Sequence, residues 1–72
     1  MKTGDYIAQF RNDATVYGLI IKELKNGGFQ AVIIDTYFKK AKKHSTNHWV
    51  PSPVIIDKNI IPEKLLNKIL NH

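Results

Sequence analysis

Four consecutive residues, Lys25-Asn26-Gly27-Gly28, constrain this chain more than any other segment. Asn-Gly accepts the positive φ angles that tight hairpin turns demand. It stands between two apolar runs, Val16 to Leu24 and Phe29 to Ile34. β-Branched and aromatic side chains dominate both runs, which favours strands. Gly18 and the short length count against a helix in the first run. The pair is therefore expected as an antiparallel hairpin. In its second strand Phe29, Ala31 and Ile33 fall on one face, with Gln30, Val32 and Ile34 on the other. Two apolar faces predict a strand covered on both sides.

Further strands follow from the same signals. Gly4-Asp5 opens Tyr6 to Phe10, rich in β-formers, and Asn12-Asp13 supplies a turn. Pro51 and Pro53 lack ladder donors, so the strand in that region is Val54-Ile55-Ile56 or lies at a sheet edge. Thr36 to Asn47 reads as a long loop or one or two helical turns, and periodicity does not choose between them. Near the end, Pro62 and Glu63 suit a first helical turn, which predicts a short helix over 61–71. Leu65, Leu66, Ile69 and Leu70 gather on one stripe of it. A helix of about ten residues does not stand alone in water. The stripe must cover either the open end of the sheet or a second copy of the chain; Leu66, Ile69 and Leu70 are the interface candidates for such a homodimer.

With 72 residues the chain forms one domain, 1–72, with a thin core: a domain near this size buries only roughly 60% of its unfolded surface. There is no cysteine, which excludes disulfides and thiolate metal sites and fits a cytoplasmic setting. Gly4-Asp5 precedes any apolar run, against a secretory signal, and no apolar stretch reaches the ~18 residues of a membrane span. Abundant Ile, Lys and Asn match AT-rich coding DNA and hence a bacterial or phage source.

Four or so short antiparallel strands with a terminal helix predict a mainly β fold, a small curled antiparallel barrel. Gly18, inside the second strand, is where it would bend. Gly4-Asp5-Tyr6-Ile7, followed by Val16-Tyr17-Gly18-Leu19-Ile20-Ile21, resembles the first two strands of SH3-like small barrels of the KOW and Tudor kind. The resemblance spans Gly4 to about Asp35; the basic segment and the Pro51/Pro53 stretch depart from the pattern. It implies a docking module for nucleic acid or protein.

The charge is localised. Of the formal net +5, residues 37–49 carry +4 from Lys39, Lys40, Lys42 and Lys43 with no acid, leaving +1 elsewhere. Cations so spaced displace condensed counterions from phosphates, and flat aromatic faces stack on unpaired bases. Tyr37, Phe38 and Trp49 flank the lysines and His44; Lys39, Lys40, Lys42, Lys43, His44, Tyr37 and Trp49 form the expected nucleic-acid-binding set, with Lys22 or Arg11 as further phosphate contacts. Lysine lacks the guanidinium fork that reads guanine bidentately, which predicts contact with backbone rather than sequence. The competing partner is an acidic host protein, for which the chain would act as an adaptor or inhibitor. Exposed aromatics such as Tyr6, Tyr17 or Trp49 would anchor that complex and the lysines would steer it.

Chemistry is not expected. His44 and His48 have the i, i+4 spacing that holds zinc on a helix. Their nearest acids, Asp35 and Asp57, lie nine residues from His44 and His48 respectively, so no metal or other cofactor is assigned. The carboxylates are scattered singly, whereas acid–base catalysis wants paired groups. Ribonuclease-toxin barrels also open on Gly-Asp, but they rely on arginine, and Arg11 is the only one here. The chain is read as a non-enzymatic binding module.

Overall fold

The computed structural model describes all 72 residues, Met1 to His72. Five strands form one sheet: β1 (Tyr6–Phe10), β2 (Thr15–Glu23), β3 (Phe29–Asp35), β4 (Ala41–Thr46) and β5 (Val54–Ile56). A single 3-10 turn over Lys58–Ile60 leads to one helix, α1 (Glu63–Leu70). Every pairing is antiparallel, and the strand order is β4-β3-β2-β1-β5. The fold is mainly β with a C-terminal helix, as the sequence predicts. No helix is long and apolar enough to cross a membrane.

The β2–β3 hairpin forms around Asn26-Gly27. Gly27 has φ +87°, and the Asn26 side chain accepts a hydrogen bond from the Gly28 N–H at 3.0 Å. Both faces of β3 are buried, but against different partners. Phe29, Ala31 and Ile33 join Ile7, Val16 and Ile20 in one cluster; Val32 and Ile34 join Ile61, Leu65 and Ile69 in the other. Gly18 lets the first cluster close. A Cβ there would stand 3.0 Å from the Ile33 Cγ2 and 3.2 Å from the Ile7 Cγ1, closer than ordinary van der Waals contact.

The helix covers the second face. Ile61, Leu65 and Ile69, spaced by four, bury themselves over β3, each burial being worth roughly 1.5–3 kcal/mol. That supplies what an eight-residue helix lacks in intrinsic stability. The expected stripe is therefore mostly a lid. Ile69 is only 3% exposed, Leu66 is half-buried at the cluster's edge, and Leu70 is 55% exposed. The helix is also shorter than the expected 61–71, because Ile61 is extended and Pro62 forms its N-terminal boundary.

The main departure from the sequence reading lies in residues 36–47. They form neither a long loop nor helical turns, but one tight turn followed by a strand, β4. The Asp35 carboxylate accepts the N–H groups of Tyr37 and Phe38, and the Lys39 N–H donates to the Asp35 carbonyl at 2.7 Å. Lys39 then takes φ +57° and the chain doubles back. β3 offers a free row of backbone groups, and Ala41–Thr46 pairs with it despite a polar composition. A charged edge strand also discourages pairing with other chains. His44 and His48 are consequently not on a helix.

Candidate nucleic-acid interface

Strand periodicity sorts the basic residues. In β4, Lys42 pairs with Ile33 and His44 with Ala31, so both stand on the face of the first cluster. Lys43 pairs with Val32 and belongs to the opposite, helix-bearing face. The expected row of four lysines is thus divided by the two-residue repeat of a strand.

On the first face the sheet holds an open cleft of about 780 Å³. Val16, Ile33 and Trp49 give it an apolar floor, and Arg11, Lys40 and Lys42 supply three cations. Asp35 is the one carboxylate in the lining, leaving two formal positive charges in excess. Its Oδ1 already accepts the turn N–H groups. His44, His48 and Phe38 complete much of the rim. Arg11 comes from the β1–β2 turn, where its N–H donates to the Ala14 carbonyl at 3.0 Å. The cations therefore approach from two separate segments.

The segment after β4 closes one side. The Thr46 hydroxyl accepts the His48 N–H at 2.9 Å and donates to the His48 carbonyl at 2.8 Å, which bends the chain back toward the sheet. Gly28 makes room for that bend, since a Cβ would come within 2.7 Å of the Asn47 Cα. Trp49 then stacks on Phe29, with ring centres 5.7 Å apart and planes at 13°; the His44 ring meets it nearly perpendicular at 5.4 Å. Gln9 ties the segment to β1: only 6% exposed, it donates from Nε2 to the Pro51 carbonyl at 2.8 Å.

Of the expected residues, Lys40, Lys42, His44 and Trp49 share this cleft. Lys43 does not, and Lys39 and Tyr37 sit beside it on the exposed β3–β4 turn. Arg11, named as an alternative phosphate contact, is in the cleft; Lys22, paired with Gln30 in the β2–β3 hairpin, does not line it. The half-buried Trp49 ring is occupied by Phe29 and His44, whereas Phe38 is 76% exposed. Sequence reasoning placed Phe38 beside the lysines but missed Gln9 and His48 as cleft residues. For Gln9 a signal existed: it is a polar residue two positions after Ile7, on the inward side of a strand. No three His, Cys, Asp or Glu side chains come together as a metal-holding group. In comparison with known proteins, the chain matches no family model, no curated protein and no solved structure.

Proposed function

We propose that this chain is a non-enzymatic module that holds nucleic-acid backbone, without sequence preference, in the cleft of its first face. The carrying observation is that Arg11, Lys40 and Lys42, from two segments distant in sequence, line one concavity containing a single carboxylate. Phosphates entering such a site release condensed counterions, and affinity then falls with salt. Three contacts on a single strand give a slope of about −2 in log K against log salt. The same reading takes the sheet as an SH3-like small barrel of the KOW and Tudor kind. The Gly4-Asp5 opening and the tight packing of Ile7 and Ile33 against Gly18 inside β2 support that assignment.

Fluorescence anisotropy of a labelled twelve-nucleotide oligomer across a salt series tests the proposal. Binding with a slope near −2, insensitive to base sequence, is the expected result. A flat dependence removes the phosphate contacts, and with them the reading.

A protein partner is the second reading, carried by apolar side chains left exposed around the β5 edge: Phe10, Val50, Val54 and Ile55. It predicts a complex that survives nuclease and ~0.5 M salt, where screening leaves mainly buried contacts. Ile55→Lys should break that complex, and a complex indifferent to this change would count against it.

A further inference from the structure

We infer that the cleft takes single-stranded nucleic acid in preference to duplex, with Phe38, and Tyr37 beside it, as the stacking platform; this rests on the nucleic-acid reading above. Tyr37 and Phe38 are the two most exposed large apolar side chains of the molecule, at 74% and 76%. Their rings meet edge to face, with centres 5.0 Å apart and planes at 79°, so the pair leaves ring surface open to a third partner. Phe38 is at the same time part of the cleft lining, alongside Lys40 and Lys42.

The platform is held in place from three directions. The Asp35 carboxylate caps the N–H groups of Tyr37 and Phe38. Lys39, in the left-handed region, turns the chain immediately after them. The Lys68 ammonium group of α1 donates to the Lys39 carbonyl at 2.9 Å. Exposed aromatics on a fixed turn are ready for contact without the ordering cost that a loose loop would carry.

Ligand geometry decides between strand and duplex. In a duplex the bases stack on each other and present only edges in the grooves. Phe38 has no donor or acceptor with which to read an edge. An unpaired base offers a π-face, and stacking on an aromatic side chain is sequence-tolerant. Cations that track phosphates and an aromatic ring at their side are the two components of single-strand binding surfaces. Here Lys40 and Lys42 supply the first and Phe38 the second.

The test compares a twelve-nucleotide thymidine oligomer with a duplex of equal length, using the wild type, Phe38→Ala and Phe38→Leu. We expect the single strand to bind at least about tenfold more tightly than the duplex. Phe38→Ala should weaken single-strand binding roughly tenfold and duplex binding less than about twofold, with the salt slope unchanged, because stacking releases no counterions. Phe38→Leu, which keeps apolar bulk without a π-face, should behave like Phe38→Ala. Equal affinity for both forms, or equal loss on both with Phe38→Ala, overturns the strand preference and leaves the phosphate reading standing. Failure of both ligands to bind in a salt-dependent way removes that reading and this inference together. Melting curves of the variants should match the wild type, since Phe38 covers no buried cluster.

Discussion

Two neighbouring lysines provide a stringent test of how β4 sorts charge. Lys42 and Lys43 are adjacent, both exposed, and each loses one positive charge when changed to glutamine. Their cross-strand partners, Ile33 and Val32, put Lys42 on the cleft face and Lys43 on the helix face. One phosphate contact with a single strand contributes about 0.7 to the salt slope, which at ~0.1 M salt corresponds to about fivefold in affinity. Lys42→Gln is therefore expected to weaken oligonucleotide binding about fivefold and to lower the slope from about −2 to about −1.4. Lys43→Gln should stay within about twofold, with an unaltered slope, since its charge acts only at long range across a screened solvent. Anisotropy titrations at four or five salt concentrations read both quantities. Equal effects of the two substitutions would mean that overall charge, not the cleft, sets affinity.

Three further outcomes probe the scaffold. Gly18→Val should destabilise the fold by roughly 1–3 kcal/mol or more in denaturant melts, because its side chain would crowd Ile7 and Ile33; an unchanged midpoint would refute the close packing. Trp49→Phe should cost less than about 1.5 kcal/mol, since it keeps an aromatic ring against Phe29 and removes Nε1, a buried donor without a hydrogen-bond partner; a loss as large as that of Trp49→Ala would show that the indole N–H matters. Ile69→Lys should unfold the protein by burying a charge, whereas Leu70→Lys should leave the melting temperature nearly unchanged; similar melting of the two variants would mean that the helix does not act as a lid.

The strands were legible wherever local chemistry and burial agreed. Tyr6–Phe10 and Val54–Ile56 have the bounds their β-formers and flanking turn residues predict, and Asn26-Gly27 marks the hairpin because few other dipeptides accept its backbone angles. Residues 36–47 were not legible, for a physical reason. Ala41-Lys42-Lys43-His44-Ser45-Thr46 carries no strand pattern of its own; it becomes a strand because β3 presents an unpaired edge and the Asp35 cap aims the chain along it. That missing strand hid the site as well. Four lysines close in sequence look like one patch, yet alternation sends Lys43 away from Lys42 and lets Arg11, from a different turn, take a place beside it. The helix stripe was visible, but the choice between lid and interface depended on how much of β3 needed covering, which no local pattern records.

The most direct test is a residue-by-residue map of where the ligand touches. Amide and indole resonances of the labelled protein are followed while a twelve-nucleotide thymidine oligomer is added at low salt. The account predicts that the perturbed signals centre on Arg11, Phe38, Lys40, Lys42, His44 and His48-Trp49, with Leu65 and Ile69 undisturbed. Shifts centred on α1 or along the β5 edge, or none at saturating oligomer, would contradict it.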